Sequence, residues 1–237
     1  MTEVRDIGEA KSTTTFIKSP LITIIVNGGE STEESFQIHQ DLLIARSDYF
    51  KNALNAHWAE SNDRTLRMPD VDSEAMAVYL EFLYTDKLPV SQRTEDGVPD
   101  FPWLAKVYVL AEQLMDSTAK NAVMHGFFSQ MRTPDTNGAF WFPADIVQTV
   151  YDGTASPTNP ARRLLVDLYH DYGTEVWLKD PEDELPRDFL LELSQVMIKS
   201  SKRNAPLPIP ASNVQQYLEN ASEGQENTGS ESGAKEK

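Results

Sequence analysis

Of the residues in this sequence that could move a proton, His39 has the most suggestive setting. It ends the alternating run Ser35-Phe36-Gln37-Ile38-His39, where a strand gives way to a helix. A histidine at such a junction can equally hydrogen-bond backbone groups, and no nucleophile or base stands at a workable spacing from it. His57, His125 and His170 are scattered, without the H-E-x-x-H spacing that sets two ligands on one helix face, so no metal site is indicated. Ser47 lacks a G-x-S-x-G elbow and shares its helical face with Leu43 and Phe50, which makes it a small core residue rather than a nucleophile. Gly28-Gly29 has neither the spacing nor the lysine of a phosphate loop and reads as a turn. The carboxylates of Asp180-Pro181-Glu182-Asp183-Glu184 precede a helix, whose N-terminal dipole favours negative charge. These residues supply no catalytic group, no cofactor site and no metal site, so an enzyme is the least supported reading and a non-catalytic role is expected.

Composition narrows the field further. The chain has 237 residues, 40% of them hydrophobic, enough for a packed core in one large domain or two small ones. A formal net charge of -16 would repel nucleic-acid phosphate, so direct DNA or RNA binding is not expected; such acidity usually marks no more than a solvated surface, and it would also favour a basic partner. The absence of cysteine excludes disulfides, thiol chemistry and cysteine-ligated zinc. The first 16 residues hold no apolar stretch of the kind a secretory signal needs, and no run is long enough to span a membrane. An intracellular setting is expected, in cytoplasm or nucleus; Lys199, Lys202 and Arg203 are too few to argue nuclear import.

The elements that would position these side chains follow from periodicity. Residues 1–18 read as a flexible arm. Leu21 to Val26 is a β-branched run stopped by Asn27-Gly28-Gly29, and Ser35 to His39 reads as its pairing partner. Asp41 could cap a helix in which Leu43, Ser47, Phe50 and Leu54 share one face. A third short strand around Leu66 and Met68 should end at Pro69-Asp70. Asp72 or Ser73 then caps a helix with Met76, Tyr79, Leu80 and Leu83 on one side. Pro102 opens another helix with Leu104, Val107, Tyr108, Ala111 and Leu114, and a further one, capped near Asp116, runs to about Met131. Strands followed by successive helices indicate an α+β class.

After a break at residues 133–138 the pattern is all helical. Ile146, Val147, Val150 and Tyr151 form one stripe; Asn159-Pro160 opens a second with Leu165, Leu168, Tyr169 and Tyr172; Phe189, Leu193, Val196 and Met197 mark a third. Such short helices must pack on one another or on the first domain. From residue 204 the acidic tail carries too little apolar surface to offset chain entropy and is expected to be disordered.

The segment Phe36-Gln37-Ile38-His39-Gln40-Asp41-Leu42-Leu43-Ile44-Ala45-Arg46-Ser47-Asp48-Tyr49-Phe50 resembles the BTB/POZ signature, with Phe36, His39, Leu43, Ser47 and Phe50 at its structural positions. Arg67 to Asp72 is similar to that family's third strand and acidic turn. Tyr79 to Leu88, with Tyr84, is similar to the family's next helix end, and Leu104 to Leu114 to the helix after it. Four motifs in the right order, over residues 19–131, are far more specific than one. The polar insertion at residues 91–100 and the acidity are most like fungal members.

The resemblance implies a short three-stranded sheet flanked by a helical cluster, with residues 139–203 resembling a reduced BACK-type extension. It also implies a protein-binding adaptor that forms a homodimer or recruits a scaffold, with protein partners and no cofactor. Some family members are substrate adaptors of cullin ubiquitin ligases, through a hydrophobic-x-glutamate motif after the signature helix. Trp58-Ala59-Glu60 stands at the matching place, so Trp58 and Glu60 are candidate partner contacts, although Trp58 could equally cover the core edge. The charged pair of the family's transcription repressors is replaced by Leu21 and Gln40, which argues against corepressor binding by that route.

Overall fold

In the computed structural model, residues 16, 18–28, 32–54, 64–89, 93–94, 97–135, 137–178 and 185–200 are described. Strand β1 (Leu21–Gly28) runs antiparallel to β2 (Thr32–His39), with Leu21 opposite His39 and Gly28 opposite Thr32. The third strand, β3 (Thr65–Asp72), lies parallel to β1 on its other side, so the sheet order is β2-β1-β3. Period-two alternation sends Ile22, Ile24, Val26 and Ile38 into the core, and Thr23 and Ile25 toward the other face.

Two expectations about this sheet are corrected. Strand β2 begins at Thr32, so part of the polar segment before Ser35 is already paired. Strand β3 does not stop at Pro69-Asp70 but continues to Asp72, because the pairing jumps from Val26–Met68 to Asn27–Asp72. Pro69 thus falls inside an irregularity on an edge strand, where its missing N–H forfeits no ladder bond.

The expected single signature helix is two. Helix α1 (Gln40–Arg46) and α2 (Asp48–Ala53) are separated by Ser47, whose backbone is extended at φ -111° and ψ 117°. Leu43, Ser47, Phe50 and Leu54 all still reach the core, since the break turns the chain without rotating that face away. His39, not Asp41, is the N-cap position of α1, and it makes no side-chain cap bond. Asp41 lies in the first turn, and its N–H donates to Ser19 Oγ at 3.3 Å.

Helix α3 (Ser73–Thr85) is capped by Asp72, whose Oδ1 accepts from the Ala75 N–H, and closes at left-handed Asp86. Met76, Tyr79, Leu80 and Leu83 are buried as their spacing predicts. Helix α4 (Phe101–Gln113), capped by Asp100 with Pro102 in its first turn, is buried on nearly all sides. It packs against α3, against α5 (Ser117–Met131) and against α6 (Val147–Gly153).

Helix α6 follows a 3-10 turn at Ala144–Ile146, and Asn159-Pro160 opens α7 (Pro160–Tyr172) as expected. The link from α4 to these helices is direct: the Tyr108 hydroxyl donates to Asn159 Oδ1 at 3.0 Å, and Gly153 lies so close to Val109 that a Cβ there would collide with it. A second 3-10 turn, Glu175–Leu178, precedes α8 (Arg187–Ser200). The described residues up to Ile198 belong to one compact unit.

Two stripe residues lie outside the core. Tyr172 is exposed and stacks on Phe142 with ring centroids 5.0 Å apart, covering that ring at the helix end instead of entering the interior. Met197 is exposed because eight residues beyond Phe189 the helix has turned off the buried Phe189–Leu193 line. Among the described residues no helix is long and apolar enough to cross a membrane.

Candidate functional site

The signature residues converge where the sheet hands the chain to α1. Leu43 and Phe50 are fully buried, and Phe36 packs half-buried against the core. Ser47, 1% exposed, does two things with one hydroxyl. Its Oγ accepts the Phe50 N–H at 3.1 Å, capping α2, and donates to the Leu114 carbonyl at 2.5 Å, tying α2 to the end of α4. The sequence reading of Ser47 as merely a small core residue missed both bonds. Replacing Ser47 with alanine removes the cap and leaves a buried carbonyl unpaired, so a loss of about 2 kcal/mol in urea unfolding is expected. A loss under about 0.5 kcal/mol would mean that neither bond contributes.

His39 is paired with a side chain rather than with backbone carbonyls. Its Nδ1 lies 2.9 Å from the Tyr84 hydroxyl, the two rings meet edge to face, and the His39 N–H points at the same oxygen from 3.4 Å. This contact joins the end of β2 to the end of α3 across 45 residues.

Beside it lies a charged cluster that the sequence did not announce. Arg46, at the end of α1, sets its guanidinium over the Phe82 ring at 4.9 Å, 2.8 Å from the exposed Asp86 carboxylate and 3.7 Å from Asp116. Asp116 is fully buried. One of its oxygens caps α5 by accepting from the Ala119 N–H at 2.9 Å, and the other accepts the Tyr79 hydroxyl at 3.2 Å. Burial pushes the Tyr79 phenol above its ordinary value, and the neighbouring Asp116 charge and hydrogen bond push it the same way. The cap at Asp116 was readable from sequence. Its second role was not, because Tyr79 is 37 residues away and carries no local signal.

Around this buried hub runs an exposed strip. Leu21 is paired with His39, His39 touches Tyr84, Asp86 follows Tyr84 by two residues, and Met115 adjoins Asp116. Leu21, Tyr84 and Met115 are large exposed hydrophobic residues. Asp86 and Met115 hold left-handed backbone, at φ 52° and 54°, an uncommon state for such side chains that the packing beneath must maintain.

Trp58 and Glu60 lie outside the described residues, as do His57, Gly29 and the Asp180–Glu184 carboxylates. Among the described residues no group of three or more His, Cys, Asp or Glu is placed to hold a metal ion.

The family model described as BTB/POZ domain matches residues 20–115. The mouse protein "Inhibitor of Bruton tyrosine kinase" is 34% identical over 88 residues, 37% of this chain, and the human protein of that name is 33% identical over the same length. The chain spans only 6% of the length of these curated relatives. Among solved structures, the BTB domain of zebrafish PATZ1 is 25% identical, covering 45% of this chain and 75% of that one with a TM-score of 0.32. The BTB domain of human gigaxonin is 15% identical, covering 44% and 74%, with a TM-score of 0.33. Residues 20–115, which hold the three-stranded sheet and the strand-to-helix signature, match the BTB/POZ domain family.

Proposed function

We propose that the chain is a non-catalytic adaptor whose BTB/POZ domain contacts its protein partner through the strip formed by Leu21, Tyr84, Asp86 and Met115. The observation that carries this reading is the pairing of exposed apolar side chains with a rigid foundation. Each strip residue is adjacent to a buried or bonded group, so little ordering entropy remains to be lost on binding. An exposed apolar strip edged by a carboxylate also suits a partner with a basic rim, in keeping with the charge of -16.

The test is amine-reactive cross-linking of the full chain in native cells. Lys87 is exposed beside Asp86 and should carry the link to the partner. Tyr84→Ala with Met115→Ser should reduce that link at least tenfold while the melting temperature stays within a few degrees. Undiminished cross-linking in the double variant would remove this strip from the interface.

The alternative scaffold is a cullin, making the chain a ubiquitin-ligase substrate adaptor, and the hydrophobic-x-glutamate pattern Trp58-Ala59-Glu60 favours it. Copurification of a cullin, lost in Trp58→Ala plus Glu60→Ala, is the expected result under that reading. Cullin binding that survives the double change would strip those two residues of the role.

A further inference from the structure

Antiparallel pairing turns the N–H and C=O of every second residue of an edge strand outward, and two bonds fix which residues of β2 these are. The Gln40 N–H donates to the Pro20 carbonyl at 2.9 Å, and the pairs Ile22–Ile38, Ile24–Phe36 and Val26–Glu34 follow in the same phase. The Thr23 N–H donates to the Arg64 carbonyl at 2.8 Å, on the β3 side of β1, so the pair Thr23–Gln37 exchanges no bonds. The main-chain groups of Glu33, Ser35 and Gln37 therefore point away from β1. His39, next in that series, sends its N–H to the Tyr84 hydroxyl at 3.4 Å, which closes that end of the edge. Glu33, Ser35 and Gln37 are exposed, and their outward groups have no partner among the described residues.

The two edges of the sheet are protected differently. Strand β3 carries Pro69 and a pairing irregularity, both of which blunt an edge. Strand β2 has no proline, and its pairing with β1 runs from Thr32 to His39 without interruption. One donor and one acceptor per outward residue thus stand in a row about 13 Å long.

We propose that the β2 edge is a docking site for an extended segment of a different protein, which adds to the sheet as a further strand with a basic side chain opposite Glu34 and an apolar one opposite Phe36. Geometry and charge choose this occupant. Outward donors and acceptors in strand phase match another extended backbone and not a helix, whose main-chain groups are used internally. Glu33 is already held by Arg67 at 2.8 Å, whereas Glu34 is exposed and has no ion pair among the described residues, so its charge is open to a cation. Phe36, on the same face as Glu34, is half-buried against the core, and an apolar neighbour across the new pair extends its cover. A second copy is disfavoured, because two chains of charge -16 repel each other. The edge uses none of the strip residues Leu21, Tyr84, Asp86 and Met115, so the two readings fail independently. Its affinity comes from main-chain bonds exchanged against water, and the expected Kd is on the order of 100 µM.

The probe is the end-blocked peptide Ser-Thr-Val-Thr-Lys-Thr, titrated into the isotope-labelled full chain and followed by its amide resonances. Antiparallel alignment sets the middle threonine opposite Ser35, the valine opposite Phe36 and the lysine opposite Glu34. The Glu33, Ser35 and Gln37 N–H resonances should shift most, and those of Glu34 and Phe36, which face β1, should change little. N-methylation of the middle threonine removes a bond to Ser35 and should weaken binding about tenfold. N-methylation of the valine, whose N–H points away from β2, should weaken it far less. Glu34→Lys should weaken binding about threefold, and a glutamate in place of the probe lysine should restore it. Ser35→Pro removes an outward N–H and no bond to β1, so binding should be lost with the melting temperature within a few degrees. If that variant misfolds, Glu34→Lys and the methylated probes still decide the question.

Unshifted Ser35 and Gln37 resonances with the probe at about 2 mM overturn the proposal. Equal binding of the two methylated probes does so too, because no main-chain ladder would then form. Shifts confined to Leu21, Tyr84 and Met115 would put the probe on the strip and leave the β2 edge without this role. If the full chain instead dimerises in sedimentation, and Ser35→Pro abolishes the dimer, the edge belongs to a second copy and the proposal falls.

Discussion

Substituting alanine for Asp116 is expected to lower the unfolding free energy by about 3 kcal/mol, the sum of three losses at one buried carboxylate. The Ala119 N–H loses its cap, worth about 1 kcal/mol. The Tyr79 hydroxyl is left buried without its acceptor, which costs about 1–3 kcal/mol. Arg46 keeps the exposed Asp86 but loses the buried counter-charge 3.7 Å from its Nε. For a domain of this size the melting temperature should fall by roughly 6–12 °C. Asp116→Asn can still cap α5 while losing the charge, so it should fall between wild type and alanine. Equal losses for the two variants would show that charge, not capping, dominates.

A pH test isolates Tyr79. The folded state holds its phenol above the ordinary 10.0, chiefly by burial and then by the charge and hydrogen bond of Asp116, against a smaller opposing pull from Arg46. A raised folded pKa contributes stability that is fully present below the unfolded value near 10 and is lost as pH rises above it, because the unfolded chain then sheds a proton the folded chain retains. Tyr79→Phe should flatten the alkaline limb of the stability curve, and Asp116→Ala should flatten it in part. An unchanged limb in Tyr79→Phe would assign the alkaline loss to Tyr108 and Tyr151, whose phenols burial also pushes up.

What the sequence revealed and what it hid divide along a physical line. Local chemistry was legible. Asp72, Asp116 and Asn159 cap helices because their short oxygen-bearing side chains can reach an N–H two or three residues on, a relation written in adjacent letters. Burial of Met76, Tyr79 and Leu83 followed from spacing alone. The break at Ser47 was not legible, since Leu43, Ser47, Phe50 and Leu54 fit one face of a continuous helix as well as two short helices meeting at an extended residue. The bond from Ser47 to the Leu114 carbonyl, which makes that break tolerable, spans 67 residues.

The same limit governs the candidate site. The BTB/POZ signature was readable as a string, and the family match over residues 20–115 includes it. What links the hub is long-range: His39 with Tyr84, Asp116 with Tyr79, and Arg46 with Asp86. None of these pairs has a local pattern, because each depends on how α3 and α4 pack over the sheet. The exposed strip is illegible for a related reason, since exposure at Leu21, Tyr84 and Met115 is set by what the rest of the chain fails to cover.

Replacing Arg162 with methionine is expected to destabilise the chain by about 3–4 kcal/mol, the largest effect predicted for any single change here. Arg162 is 5% exposed and knits three helices. Its Nε donates to Thr154 Oγ1 at 2.8 Å, and its Nη2 donates to the Tyr151 carbonyl at 3.0 Å and to the Thr154 carbonyl. Its guanidinium lies 4.2 Å from the Tyr151 ring centroid and its Nη1 is 3.6 Å from Glu192 on α8. Methionine preserves most of the stem volume, so the loss reports the polar contacts: two carbonyls that lose the Arg162 donor and a half-buried carboxylate left, among the described residues, with the Tyr151 hydroxyl at 2.6 Å.

Thermal unfolding should shift down by roughly 6–16 °C. Pairing Arg162→Met with Glu192→Gln removes the stranded charge, so the double variant should lose less than the sum of the singles by about 1–3 kcal/mol. Additivity within about 0.5 kcal/mol would show that Arg162 acts on the α6 carbonyls alone.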